Sequence, residues 1–150
     1  MLPRSPEARM VQDSETLPER RQVAALCWRR AGGGGREVLL VTSSHGRWIL
    51  PKGWPMKGRT DAEAAAIEAW EEAGVLRGAI SPDALGWFTV TKTDRHGHTL
   101  HLPARVFPYE VAALADDWPE SDRRARRWLP LAEAAATVSE DDLRGLLRDF

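Results

Sequence analysis

The chain has 150 residues, a net charge of −1, and 21 basic against 22 acidic residues. This length supports one hydrophobic core, and the balanced charge argues against a surface that binds a nucleic acid polymer. The single cysteine, Cys27, excludes an internal disulfide and is typical of a reducing cytoplasm. No apolar run has membrane-spanning length, so we expect no membrane association.

Prolines and mixed charges dominate the first 19 residues, which also lack the apolar segment of a secretory signal. We therefore expect a flexible N-terminal arm at 1–19 and one folded domain at 20–150. A contact between two copies of the chain through this arm, giving a homodimer, is the alternative to disorder.

Two short apolar runs at 22–28 and 37–42 predict the first two strands, and the glycines of 31–35 predict a hairpin between them. A polar turn at 43–46 precedes a third, short strand at 47–50. Cys27 lies in the first apolar run without a histidine partner, which favours a core residue over a nucleophile.

A glycine-rich loop and a helix occupy residues 53–74, with Thr60 as the predicted N-cap and Gly74 as the stop. On such a helix Glu68, Glu71 and Glu72 project from one side. The opposite side offers a packing stripe for a sheet, made of Ala62, Ala66, Ala69, Trp70 and Ala73.

The three glutamates repel one another at this spacing, which suggests that a cation belongs between them. Oxygen ligands without Cys or His suit Mg²⁺ or Mn²⁺ better than zinc, whereas a solvated acidic helix face is the common alternative. Lys52, Lys57 and Arg59 precede the helix, whose free N–H groups also attract anions. A phosphate beside the carboxylates would explain both features, and this favours the metal interpretation.

The second half of the chain predicts a loop at 75–78, a hairpin of strands at 84–93 and 99–111, and a last strand at 128–131. Pro103 and Pro108 predict that the second hairpin strand is bulged or lies at a sheet edge. Two helices follow at 132–137 and 141–150, the latter with an apolar face. The arginines at 123–127 fit a phosphate patch and a solvated surface equally well, and the histidines at 96–101 lack the spacing of a zinc site.

The loop and helix resemble the Nudix box of the Nudix hydrolases, which cleave diphosphates linked to a second group. The residues that carry this resemblance are Leu50, Pro51, Lys52, Gly53, Gly58, Ala65, Glu68, Glu71, Glu72, Gly74 and Val75. Arg59 and Ile67 depart from the pattern, since the family usually has a glutamate and an arginine there. From about Arg20 onward the chain is similar to the diphosphoinositol polyphosphate phosphohydrolase branch. The resemblance implies an α/β (α+β) Nudix fold, with a mixed β-sheet sandwiched between helices.

The resemblance also implies roles for individual residues. Metal ligands would be Glu68, Glu72 and the main-chain carbonyl of Lys52, with Mg²⁺ (or Mn²⁺) as the cofactor. Glu71 matches the position often assigned as proton acceptor, although coupled carboxylates leave the identity of the base open. Glu120 is a candidate for an additional ligand from outside the helix, although the sequence favours an ordinary loop acid at this position. Substrate-binding candidates are Arg21, Ser43, Ser44, His45, Arg47, Lys57, Arg59, Arg95 and Arg124.

We accordingly expect a metal-dependent enzyme that hydrolyses a diphosphate linkage in a small phosphorylated substrate, first of all a diphosphoinositol polyphosphate. A dinucleoside polyphosphate or another nucleotide is the first alternative, for which Trp54 would be the residue to test as a stacking surface. The second alternative is a ligand-sensing domain without turnover, suggested by Arg59 and Ile67. The retention of all three helix glutamates argues against that alternative.

Overall fold

The computed structural model describes residues 17–150, so most of the arm expected at 1–19 lies outside the described residues. The described part contains three helices: α1 (Asp61–Ala73), α2 (Leu131–Thr137) and α3 (Asp141–Asp149). Its eight strands are β1 (Gln22–Arg30), β2 (Arg36–Thr42), β3 (Trp48–Ile49), β4 (Lys52–Gly53), β5 (Val75–Ile80), β6 (Gly86–Thr93), β7 (Thr99–Leu114) and β8 (Arg126–Pro130). None of these helices is long and apolar enough to cross a membrane.

All eight strands form one mixed sheet, as expected. Its main path runs β3-β2-β1-β7-β5, while β4 pairs with β1, β6 with β7 and β8 with β2. The central pair, β1 and β7, is parallel, and the other pairs are antiparallel. One edge of β1 is shared, because Val23 and Ala24 pair with β4 whereas Trp28 to Arg30 pair with β2.

The sheet separates two cores because successive side chains of β1 point to opposite faces. Val23, Ala25 and Cys27 pack towards α1, whose buried alanines form that layer. Burial raises the pKa of the Cys27 thiol, in keeping with a core residue. On the other face, the core includes two leucines of α3, Leu143 and Leu147, both fully buried. The prediction of an amphipathic C-terminal helix is therefore confirmed.

The prediction of a loop at 75–78 is wrong, because β5 extends from Val75 to Ile80 and pairs with β7. Only Val75 of this strand is buried, and the pairing contains register shifts, so no alternating apolar pattern marks the strand in the sequence. Backbone pairing with a distant strand, rather than side-chain burial, stabilises it.

For β7 the sequence predicted a bulge or an edge position. The edge position is wrong, since this 16-residue strand is central, whereas a bulge agrees with the register shifts in its pairing with β5. Its prolines are tolerated because each stands where pairing on one side of β7 begins or changes partner. Pro103 precedes Ala104, the first residue that pairs with β1. Pro108 lies between the last β6 partner, Val106, and the first β5 partner, Tyr109. A missing N–H is harmless where a ladder is interrupted.

Candidate active site

Helix α1 begins and ends as the sequence predicts. The N–H of Glu63 donates to the Thr60 hydroxyl at 3.1 Å, and the Thr60 N–H donates back to the Glu63 carboxylate at 2.9 Å. This reciprocal capping box satisfies two N–H groups that a helix leaves free. At the other end Gly74 adopts a φ of 71°, the left-handed conformation that favours glycine. The cap fixes the residues that carry the glutamates.

A salt bridge holds the start of α1 to the sheet. Arg21 donates two hydrogen bonds of 2.8 Å to the Asp61 carboxylate, and Arg105 of β7 lies 3.3 Å from the same group. Burial raises the pKa of Asp61, but the hydrogen bonds and charges of Arg21 and Arg105 outweigh it and leave this pKa below its usual range. Arg21, expected to bind substrate, thus has its guanidinium on Asp61.

The carboxylate of Glu68 lies directly above Gly53, where any Cβ would collide with it. One turn further along, Glu72 is only 7% exposed. Its carboxylate accepts a hydrogen bond of 3.2 Å from the Lys52 N–H and lies 3.4 Å from the Arg124 guanidinium. The strand β4 therefore brings the loop backbone onto both carboxylates.

Glu68, Glu71, Glu72 and Glu120 form what we call the carboxylate cluster. Burial, followed by the charges of Glu72, Glu71 and Glu120, raises the pKa of Glu68 to about 7, although Arg124 opposes this. Burial also raises the pKa of Glu72, against the effects of Arg124 and of the Lys52 hydrogen bond. Burial and repulsion between the carboxylates thus outweigh the opposing effects of Arg124 and of the Lys52 hydrogen bond.

Arg124 is the main counter-charge of the cluster. Its Nε donates to the Glu120 carboxylate at 2.6 Å, and another of its nitrogens donates to the Thr42 carbonyl at 2.7 Å. The backbone also places Glu120 here, because its N–H donates to the Glu71 carbonyl at 3.1 Å. Glu120, which the sequence favours as an ordinary loop acid, therefore belongs to the cluster.

The donor chemistry of the cluster suits a hard divalent cation, since carboxylate oxygens are what Mg²⁺ and Mn²⁺ prefer. The elevated pKa of Glu68 indicates that additional positive charge would be favourable there. In the part of the chain that the structure describes, no three acidic, His or Cys side chains are arranged to hold an ion directly. Arg124 supplies the positive charge in this arrangement.

A cleft of about 630 Å³ opens beside the cluster. Its lining includes Glu72 of the cluster and the two residues that contact the Glu72 carboxylate, Lys52 and Arg124. Four cationic side chains, here called the cationic wall, line this cleft: Arg47, Lys52, Lys92 and Arg124. Burial, followed by the charge of Lys92 among others, lowers the pKa of Lys52, although Glu72 and Glu140 oppose this. The cationic wall gives a polyanion a place to bind next to the carboxylates.

A second lobe of about 530 Å³ continues from the same cleft, with Ser43, Arg47, Ile49 and Lys52 common to both. Its far side carries acidic residues from the start of α3. The Asp142 carboxylate accepts a hydrogen bond of 2.7 Å from the Thr89 N–H. One carboxylate oxygen of Glu140 is buried without a hydrogen-bond partner. The two lobes therefore differ in charge.

Five of the predicted substrate-binding residues meet in the cleft: Ser43, Ser44, His45, Arg47 and Arg124. The Ser43 hydroxyl also accepts hydrogen bonds from the N–H groups of His45 and Arg47. These two hydrogen bonds shape the turn on which the four residues from Ser43 to Arg47 named here lie.

The other four predicted substrate-binding residues do not line the cleft: Arg21, Lys57, Arg59 and Arg95. Arg59 lies 3.9 Å from Glu63 on the exposed side of α1, and Arg95 is at the exposed tip of the β6–β7 hairpin. Lys57 is exposed in the loop before the helix.

The sequence did not identify two residues of the cleft, Lys92 and Glu140. Both lie far along the chain from the glycine-rich loop, and neither belongs to a motif. Lys92 does occupy a strand with clear alternation, so its side could have been assigned once the pairing of β6 with β7 was known. Glu140 offered no local signal.

Comparison with known proteins agrees with this geometry. Residues 20–150 match the NUDIX domain family. Among curated relatives, Arabidopsis thaliana Nudix hydrolase 21, chloroplastic, is 34% identical over 125 residues, covering 82% of this chain and 61% of the relative. Mouse diphosphoinositol polyphosphate phosphohydrolase 3-alpha is 34% identical over 120 residues, covering 77% of this chain and 66% of the relative. The chain thus spans about three-fifths of the length of the plant relative.

Solved structures show the same fold. The NUDIX domain of Shewanella oneidensis NrtR, complexed with ADP ribose, superposes with a TM-score of 0.64 at 18% identity, covering 97% of this chain and 98% of that one. A Caenorhabditis elegans Ap4A hydrolase gives a TM-score of 0.59 at 20% identity, covering 86% and 93%. At such identities the likeness concerns the fold alone. The match over residues 20–150 establishes that the chain belongs to the NUDIX domain family.

Proposed function

We propose that this protein hydrolyses a diphosphate linkage in a small phosphorylated substrate, with Mg²⁺ or Mn²⁺ held by the carboxylate cluster. The observation that supports this proposal is a contact between opposite charges beside one cleft. The Glu72 carboxylate accepts a hydrogen bond of 3.2 Å from the Lys52 N–H and lies 3.4 Å from the Arg124 guanidinium, and both of these residues belong to the cationic wall. A substrate phosphate bound by the wall would therefore lie next to the carboxylate cluster. Membership of a family that includes curated Nudix hydrolases supports the same activity.

Each part of the site has a distinct task in this proposal. Glu68 and Glu72 would hold the divalent ion, with the main-chain carbonyl of Lys52 as a further ligand. When bound, such an ion would neutralise phosphate oxygens and lower the pKa of an attacking water. Glu71, the partly exposed member of the cluster, would accept a proton from the attacking water. The P–O bond of the diphosphate breaks, and the water oxygen remains on the attacked phosphorus.

Arg124 has two roles. In the free protein it offsets the charges of Glu72 and Glu120. With a divalent ion held by the cluster, the guanidinium would be free to bind the substrate, because it also lines the cleft. The surrounding cations Arg47, Lys52 and Lys92 bind the remaining phosphates. Four predicted substrate-binding residues lie outside the cleft lining. They would contact only those substrate groups that extend beyond the cleft: Arg21, Lys57, Arg59 and Arg95.

A diphosphoinositol polyphosphate is the first candidate substrate. It carries many phosphates on a compact ring, which suits a cleft of about 630 Å³ with four cationic side chains. The relation to the mouse diphosphoinositol polyphosphate phosphohydrolase supports this choice. The acidic lobe around Glu140 and Asp142 is the least suitable part for such a ligand, since like charges repel.

A dinucleoside polyphosphate is the second candidate. The observation that favours it is the exposed aromatic ring of Trp54 immediately after Gly53. The fold shared with the C. elegans Ap4A hydrolase is compatible with it.

A phosphate-release assay over dinucleoside polyphosphates, nucleoside diphosphate derivatives and diphosphoinositols, with and without Mg²⁺ or Mn²⁺, tests the proposal. We expect metal-dependent release from at least one class and loss of that release when a chelator is added. Tight binding of one of these compounds without release would instead support a ligand-sensing domain. Absence of both binding and release would refute the proposed function.

A further inference from the structure

Trp54 is exposed where most aromatic residues of this chain are covered. Its side chain is 46% accessible, and among the described residues the large exposed hydrophobic side chains are Trp54, Leu76, Leu85 and Trp87. Other tryptophans have guanidinium groups against their rings, such as Trp118 under Arg126 at 4.0 Å and Trp128 under Arg29 at 4.2 Å. Scattered exposed hydrophobic residues are ordinary, so the position of Trp54 decides its meaning.

The backbone places Trp54 at the mouth of the proposed site. The preceding residue, Gly53, carries the Glu68 carboxylate directly above it. Consecutive Cα atoms are about 3.8 Å apart, so the tryptophan emerges next to the carboxylate cluster. On its other side, the Nζ atom of Lys92 lies 5.3 Å from the centre of the ring. Because Lys92 also lines the cleft, the ring adjoins one member of the cationic wall.

An ammonium group over a solvent-exposed ring is held weakly. A planar nucleobase stacks on tryptophan over a larger area and would replace the ammonium there. The displaced Lys92 would remain within reach of the phosphates of the same ligand, since it already belongs to the cationic wall. Base and phosphates would therefore bind at adjacent places without rearrangement of the backbone.

We propose that Trp54 is the stacking surface for the nucleobase of a nucleotide substrate, and that Lys92 moves from the Trp54 ring to the phosphates when this base binds. The assignment rests on the proposed function, because it treats the adjacent cleft as the phosphate site. Trp54 then determines specificity: it contributes to binding of nucleotides and contributes nothing to phosphate compounds that lack an aromatic group.

Equilibrium binding measured by calorimetry tests this proposal independently of turnover. The probes are a non-hydrolysable diadenosine tetraphosphate analogue and inorganic tripolyphosphate, which shares the anionic chain but has no base. Stacking on one aromatic ring corresponds to roughly tenfold in affinity. We expect Trp54→Ala to weaken binding of the dinucleotide about tenfold and to change tripolyphosphate binding less than about twofold. Trp54→Phe should restore most of the dinucleotide affinity.

Trp87→Ala is the matched control, because Trp87 is also exposed, at 38%, but the cation nearest its ring is Arg105, which does not belong to the cationic wall. Its dinucleotide affinity should equal that of the wild type. The proposal is overturned if Trp54→Ala binds the dinucleotide as the wild type does, if it loses both probes equally, if Trp87→Ala has the same effect, or if the wild type binds no dinucleotide. Selective binding without any phosphate release would leave the stacking role intact and reject the proposed hydrolysis.

Discussion

At the scale of single residues, Gly53 decides where the Glu68 carboxylate can lie. The space that a Cβ would occupy is taken by that carboxylate. We predict that Gly53→Ala displaces Glu68 and lowers kcat about 100-fold, because a shift of about 1 Å in a catalytic group is enough for such a loss. The measurement is steady-state phosphate release together with the Tm of the variant.

Gly145→Ala provides the control for this substitution. Gly145 lies within α3, and a Cβ there meets nothing within 4 Å. Replacement of a helix glycine by alanine should raise stability by about 0.5–1 kcal/mol and leave turnover unchanged. Wild-type kcat in Gly53→Ala would show that the carboxylate of Glu68 is not a positioned group.

At the scale of elements, the position of α1 depends on the salt bridge at its first residue. Asp61 is 8% exposed and is bound by Arg21 from the start of β1 and by Arg105 from β7. Removing one partner of a buried ion pair leaves the other charges unpaired. We predict that Asp61→Asn lowers the free energy of unfolding by about 3 kcal/mol at pH 7, as measured by urea denaturation.

The same salt bridge predicts a pH dependence. The folded-state pKa of Asp61 lies below its ordinary value of 3.8. The stabilisation is therefore fully present above that ordinary value and is lost as the pH falls through the lower, folded-state pKa. Urea denaturation at pH 7 and below pH 3.8 should show the difference between wild type and Asp61→Asn shrinking at the acidic pH. A difference that is equal at both values would contradict the assignment of this salt bridge.

Elements with strong local signals could be predicted from sequence, and others could not. Thr60 and Gly74 mark the ends of α1 through local hydrogen bonds and backbone conformation, so the sequence sufficed there. β5 was missed because only Val75 is buried in it and its stability comes from pairing with β7, a partner about 30 residues away in sequence. The same pairing makes β7 central despite its prolines.

At the scale of the whole molecule, positive and negative charges nearly cancel, whereas positive charges predominate in the lining of the cleft. The net charge is −1, yet four cationic side chains line one cleft. Attraction between this wall and an anionic substrate is screened by salt, and the Debye length falls from about 10 Å at 0.1 M to about 3 Å at 1 M. We predict that KM rises several-fold between these salt concentrations while kcat changes little. A KM that is independent of salt would contradict the assignment of the wall to phosphate binding.

For the site, as for the elements, residues close together in sequence could be predicted, whereas contacts between distant segments could not. Glu68, Glu71 and Glu72 were found because the spacing along one helix brings them together. Arg21 was expected to contact substrate, but Asp61, 40 residues away in sequence, takes its guanidinium. Lys92 reaches the cleft through the pairing of β6 with β7, and Glu140, the N-cap of α3, through the packing of that helix against the sheet. Pairings between distant segments are what the sequence alone left undetermined.

The most direct test of the account is the rate of phosphate release by Glu72→Gln in saturating Mg²⁺. Gln keeps the shape of Glu72 and can still accept the Lys52 N–H, so the Tm should stay close to that of the wild type. Glu133→Gln, on the exposed side of α2, serves as the control and should retain full activity. We predict a loss of about 100-fold or more for Glu72→Gln, because the ion that Glu72 is proposed to hold would stabilise the transition state by several kcal/mol. A rate near that of the wild type would contradict the assignment of the carboxylate cluster to metal-dependent hydrolysis.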